Sequence, residues 1–132
     1  MPEIAVIIPT YNRISFLERA INSVLDQSCS VNQIIVIDDG STDDTKKVIK
    51  TKYPQVTYIH QKNQGVSVAR NRGIIETDCE WICFLDSDDT WHKNKIQKQK
   101  QKIKENSEML FCHTNEIWHQ HGKILNQQKK HK

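Results

Sequence analysis

Three acids, Asp86, Asp88 and Asp89, follow directly on four apolar residues in ICFLDSDDTW (82–91). Carboxylates held this close repel one another unless a positive group sits among them. Asp and Ser favour turns and helix caps, so a solvated turn is one reading of the stretch. A divalent cation site is the other. Asp86 and Asp88 stand two residues apart at a strand end, and in extended backbone they point the same way. Hard oxygen ligands that leave coordination positions open suit Mg2+ or Mn2+ bridging a diphosphate. Such a cation would relieve the repulsion and stabilise charge on a departing diphosphate.

Three further polar clusters have chemistry of their own. In PTYNR (9–13), Tyr11 offers an aromatic face for a flat base, with Thr10 and Asn12 as hydrogen-bond partners. In DDGSTDD (38–44), Asp39 can accept from an N–H on a base edge, and Gly40 lets backbone approach closely. Ser41 and Thr42 read as caps of the following helix. In QKNQGVSVARNRG (61–73), Arg70 could reach phosphate oxygens or pair with one of the acids, whereas Arg72 reads as a surface residue.

These clusters need elements to position them. IAVIIP (4–9) and QIIVID (33–38) are continuous apolar, β-branched runs that suit strands buried on both faces. VTYIHQ (56–61) and EWICFLD (80–86) read as a third and a fourth strand. Between them, SFLERAINSVLDQS carries a helical stripe of Phe16, Leu17, Ala20, Ile21, Val24 and Leu25, with Ser15 or Asn12 as its cap. STDDTKKVIKTKY starts acidic and ends basic, as a helix dipole prefers. GVSVARNRGIIET reads as a helix with Val66, Ala69, Gly73 and Ile74 inward. A lysine-rich helix follows with a thin stripe of Ile96 and Ile103, and EMLFCHTNEIWHQHGKIL reads as a strand and hairpin turning near 120–122.

Strands alternating with helices predict an α/β fold, a Rossmann-like and mostly parallel sheet with helices on both faces and a C-terminal hairpin. All four polar clusters fall at carboxyl ends of strands. A parallel sheet gathers such ends along one edge, where open α/β sheets bind ligands. A composite cleft is the leading expectation.

The 132 residues suffice for one compact domain. No apolar run approaches the ~20 residues that span a bilayer, and the first residues show no basic, signal-like segment. A cytosolic protein, or one loosely held at the inner face of a membrane, is expected. Cys29, Cys79, Cys83 and Cys112 form no CxxC pair and read as buried thiols. Residues 1–91 carry nine basic and thirteen acidic side chains, and residues 92–132 carry ten lysines and three glutamates. The basic part could meet anionic lipid, nucleic acid or a diphosphate, with a solvated helix face as the plainer reading.

With these residues in view, the chain resembles the family 2 glycosyltransferases of GT-A fold. The resemblance rests on VIIPTYNR (6–13), VIDDGSTDDT (36–45), NQGVSVARNRGI (63–74) and FLDSDDTW (84–91), in the family's order and spacing. It implies a nucleotide-diphosphate sugar donor, commonly a UDP-sugar, a divalent metal (Mn2+ or Mg2+), and transfer with inversion to a glycan, lipid or protein hydroxyl. Carried over by position, Pro9, Thr10, Tyr11, Asn12, Arg13, Asp39, Gly40, Arg70, Asp86 and Ser87 would form the donor site. Asp88, Asp86 and Asp89 would serve the metal.

Family members are usually longer, and their second half supplies the acceptor site and the catalytic base. After Asp89 the only acids are Glu105, Glu108 and Glu116, none in a base motif. The expectation is therefore a single donor-binding domain over 1–132, lacking its acceptor side and base, with apolar surface free for self-association. A nucleotidyltransferase would want a glycine-rich loop after the first strand, which PTYNRISF lacks. A nucleic-acid module would want aromatics among the lysines of 93–104, where Gln stands instead. A metal-free binding module that keeps the fold without activity is the third alternative.

Overall fold

The computed structural model describes residues 3–105, 111–112 and 117–119. The element order is β1(Ile4–Thr10), α1(Ile14–Leu25), β2(Gln33–Asp38), α2(Thr45–Lys52), β3(Thr57–His60), α3(Val66–Ile75), β4(Trp81–Phe84), α4(Lys95–Glu105), β5(Phe111–Cys112) and β6(Ile117–His119). One sheet contains all six strands in the order β3-β2-β1-β4-β6-β5. The first four are parallel, and β6 runs antiparallel to β4 and to β5. The expected α/β architecture is present.

β1 lies inside the sheet and is buried along its whole length, which is why IAVIIP has no polar alternation. Its residues divide between two cores. Ile4, Val6 and Ile8 face a cluster that includes Leu17, Ala20, Ile21 and Val24 of α1, Ile49 of α2, and Ile96 and Ile103 of α4. Ile7 joins Ile35, Ile37 and Ile82 against Ala69 and Ile74 of α3. Three helices therefore cover one face and α3 the other. Gly73 lets α3 settle on β1, because a Cβ there would fall 2.5 Å from Ile7 Cγ2.

Several local expectations are corrected. Phe16 and Leu25 are exposed at the margins of the α1 stripe, where the sheet no longer reaches. Val66 is half exposed, because it opens the first turn of α3 before the helix meets the sheet. The N-cap position of α1 is Arg13, so neither Ser15 nor Asn12 caps it. The N-cap position of α2 is Asp44, and no side-chain cap bond is made there. The pairings Phe111↔Trp118 and Cys112↔Ile117 join β5 and β6 antiparallel, and the turn expected near 120–122 lies outside the described residues. Residues 120–132, with Glu108 and Glu116, lie outside the described residues. Cys79 and Cys83 are buried, Cys29 is half-buried, and none of the three is in a disulfide; the Cys112 side chain is not described. Among the described residues, no helix is long and apolar enough to cross a membrane.

Candidate functional site

The carboxyl ends of β1 and β4 separate to make the site. The carbonyls of Glu3, just before β1, and of Ile7 within it accept from Trp81 and Leu85 N–H groups on the β4 side. Ile4 and Thr10 carbonyls accept from Asn32 and Asp39 on the β2 side. Odd residues thus face β4. Pro9, which has no N–H, falls where the β4 pairing has already ended at Phe84. A proline is tolerable inside this sheet because its missing donor faces an opening. The connections from β1 and β4 leave in different directions there, the switch point at which such sheets form crevices.

The cleft holds about 550 Å3. It is lined by Pro9, Thr10, Tyr11, Arg13, Asp39, Asn63, Gly65, Val66, Ala69, Arg70, Asp86, Ser87 and Asp88. Three of the anticipated positions stand outside that lining. Asn12, at φ 50, works between loops: its N–H donates to Ser41 Oγ at 2.8 Å, and its Oδ1 accepts from the Thr42 and Asp43 N–H groups at 2.8 and 3.3 Å. Ser41 and Thr42 are thereby loop ties and not helix caps. Gly40, at φ 88, sits against Asn63, whose N would lie 2.9 Å from an added Cβ. Asp89 closes a turn, its N–H donating to the Asp86 carbonyl at 3.0 Å, and its Oδ1 accepts from Thr90.

Asp39 is the best-held acid in the cleft. It is 6% exposed. Its Oδ1 accepts from Gln61 Nε2 and the Gln64 N–H, both at 2.8 Å, and its Oδ2 accepts from the Gly65 N–H at 2.9 Å. Four lone-pair directions are available to a carboxylate, so one on Oδ2 stays open to a further donor. The same side chain therefore shapes the β3–α3 loop and faces the cleft. Gly65, at φ 101, supplies a left-handed turn with open space around it. Thr10 is buried, and its Oγ1 has no hydrogen-bond partner among the described residues. Tyr11 is half exposed at the rim.

The acids of DSDD have positive company. Arg70 Nη2 lies 3.0 Å from Asp86 Oδ1, and Arg13 Nη1 lies 3.0 Å from Asp88 Oδ2. Arg70 also stacks over Phe84, 5.7 Å from the ring centre, and its Nε is buried without a partner among the described residues. Arg72 pairs with Glu76 on the surface, as its sequence context suggested. Asp86 and Asp88 lie beyond β4 in a turn, so the extended-strand argument does not apply. Both are nonetheless exposed on either side of buried Ser87, and both line the cleft.

Among the described residues, no three His, Cys, Asp or Glu side chains converge on a cation position. Two hard carboxylates do line the cleft together. Mg2+ is commonly held by one or two carboxylates while water and phosphate oxygens complete its shell, and Asp86 with Asp88 fits that pattern. Asn63, Gly65, Val66 and Ala69 are lining residues that the sequence reading did not assign. The glycine opening NQGVSVARNRG was their only signal.

A buried carboxylate at a strand end, an aromatic rim and two acid–arginine pairs meet in one cleft of this α/β sheet, where the strand order reverses. The chain belongs to glycosyl transferase family 2, whose profile matches residues 5–129. It is 46% identical over 114 residues to an uncharacterized glycosyltransferase of Rickettsia conorii, covering 85% of this chain and 19% of that protein. It is 35% identical over 116 residues to the GalNAc(5)-diNAcBac-PP-undecaprenol beta-1,3-glucosyltransferase of Campylobacter jejuni, covering 84% and 38%. The crystal structure of S. aureus TarS 1–349 in complex with UDP-GlcNAc matches with a TM-score of 0.70 at 25% identity, covering 80% of this chain and 32% of that chain. Across these and other curated relatives it matches, the chain spans between 16% and 44% of their length.

Proposed function

We propose that this chain forms the donor side of an inverting glycosyltransferase that uses a UDP-sugar and a divalent cation. The observation that carries the reading is Asp39: a buried carboxylate in the lining of the cleft, fixed by three N–H donors that leave Oδ2 room to accept one more. Such a group favours a base that presents a ring N–H, as uracil does at N3. It disfavours cytosine, whose N3 is an acceptor. Tyr11 provides a stacking face at the rim, and the unpartnered Thr10 hydroxyl provides a further polar contact. The solved relative with UDP-GlcNAc supports this choice of donor.

Asp86 and Asp88 would hold Mn2+ or Mg2+, which when bound supplies positive charge against the leaving diphosphate. Arg70 and Arg13 stand beside those acids and add guanidinium donors that suit phosphate oxygens. In the proposed transfer an acceptor hydroxyl attacks the anomeric carbon as the bond to the diphosphate breaks. The fixed cleft contributes by holding the departing group where charge develops. The cleft acids are all engaged in holding loops or arginines, so we assign the catalytic base to none of them. Glu105 is no better placed, being exposed on α4 and bonded to Gln101. The acceptor hydroxyl is assigned to a glycan, lipid or protein, with a polyprenol-linked glycan favoured by the Campylobacter relative.

Calorimetric titration of UDP and of CDP, each with and without Mn2+, tests the reading. UDP binding that strengthens with Mn2+, with CDP at least about tenfold weaker, is expected from the loss of one well-placed buried hydrogen bond. Equal affinity for the two nucleotides, or no binding by the folded chain, would sink it.

A further inference from the structure

The two arginine–carboxylate pairs of the cleft are built differently. Arg70 is anchored: its side chain is 33% exposed and lies over Phe84. Arg13 is not. Its side chain is 52% exposed, Asp88 is 53% exposed, and it sits at the N-cap position of α1 without a side-chain cap bond. A half-exposed ion pair of this kind contributes little and exchanges easily. A cation at Asp88 would compete for the carboxylate whose Oδ2 Arg13 Nη1 approaches at 3.0 Å. A diphosphate in the same cleft would offer Arg13 a second partner of the same sign as the first, with the planar, two-pronged geometry that guanidinium favours.

We infer that Arg13 is a positioning residue with two alternative partners. It competes with the divalent cation for Asp88, and it passes to the diphosphate when the cation holds that carboxylate. The inference rests on the cation and diphosphate sites proposed above. Its signature is an inversion of sign. Removing Arg13 leaves Asp88 freer to take a cation, yet removes a donor to the diphosphate. A residue that served only to hold the loop would weaken both.

The test uses wild type, Arg13→Gln and, as a control outside the cleft, Arg72→Gln, all checked for folding by circular dichroism. Mn2+ binding is followed without nucleotide by the electron paramagnetic resonance signal of the free ion. UDP and UMP binding is followed at saturating Mn2+. For Arg13→Gln we expect Mn2+ to bind about two- to fivefold tighter, the range set by an exposed ion pair. We expect UDP to bind about tenfold weaker, as for loss of one charge-assisted hydrogen bond, and UMP to change much less. Arg72→Gln should alter none of these. Unchanged or weaker Mn2+ binding in Arg13→Gln, or equal losses for UDP and UMP, overturns the role of Arg13 while the cleft reading stands. Absence of Mn2+ binding in wild type and variant alike overturns the inference together with the cation site.

Discussion

Thr10 and Asp39 are both buried at the floor of the cleft, and they differ in what they lack. Asp39 is almost fully satisfied, so its orientation is set before any ligand arrives. Thr10 Oγ1 has no partner among the described residues, and a buried hydroxyl without one carries a desolvation cost. Replacing both partners of a bond by apolar groups can be neutral, and here there is one group to replace. Thr10→Val should therefore leave stability to chemical denaturation unchanged or raise it by up to about 1 kcal/mol. The same variant should weaken UDP binding by a similar free energy, measured calorimetrically. A clear loss of stability would show that the hydroxyl already serves the fold. The sequence marked both residues as polar groups at strand ends. It could not tell which was spoken for, because Gln61, Gln64 and Gly65 reach Asp39 from a loop more than twenty positions away.

The elements were the most legible part of the sequence. Unbroken β-branched runs gave β1 and β2, and the Ile96 and Ile103 stripe gave α4 its inward face. The loops between elements were less legible, since their partners are remote in sequence. Asn12 looked like a base contact or a cap and instead ties down Ser41, Thr42 and Asp43; nothing local to PTYNR predicts that. β2 and β3 are tied in a similar way by Tyr58, which donates from its hydroxyl to Asp38 Oδ2. Asp38 is 1% exposed and also accepts from the Ser41 N–H. Burial first, then the Asp38 hydrogen bond and charge, hold the Tyr58 phenol above the ordinary tyrosine range. A raised folded-state value means that the neutral form is favoured in the native protein. The stabilisation is fully present below the unfolded value of about 10 and is lost as pH rises toward the folded one. Denaturation of wild type and Tyr58→Phe at pH 8 should differ by about 1–3 kcal/mol, since the variant leaves Asp38 short of a donor. The difference should shrink at pH 10.5 and above. A constant difference across that range would remove the ionisation from the account.

At the scale of the molecule, charge is segregated. Acids collect at the cleft edge, and lysines collect along α4, where Lys100 reaches the Ser30 carbonyl and Lys95 lies over Trp91. Binding to generic duplex DNA, if it is measurable at all, should come from the lysines alone and should fall steeply between 50 and 200 mM salt, the mark of counterion release. UDP affinity with Mn2+, set by contacts inside a cleft, should change far less over the same range. Asp88→Ala should abolish the metal-dependent part of UDP binding and leave any DNA binding intact. DNA binding that resists salt would revive a nucleic-acid role.

β1 takes its neighbours from separate parts of the chain: β2 follows it closely, but β4 arrives only at Trp81–Phe84. A polypeptide is made from its N-terminus at a pace of about 5–20 residues per second. For several seconds of synthesis, then, the most apolar strand of the protein has one edge paired and the other bare. The cleft has no second wall until Asp86, Ser87 and Asp88 have left the ribosome. A chain interrupted before them could assemble β1, β2 and β3 but would present an unpaired, strongly apolar strand edge, the kind of surface that nascent-chain chaperones bind. The strand arrangement that creates the cleft also makes its completion and the burial of that edge a single event.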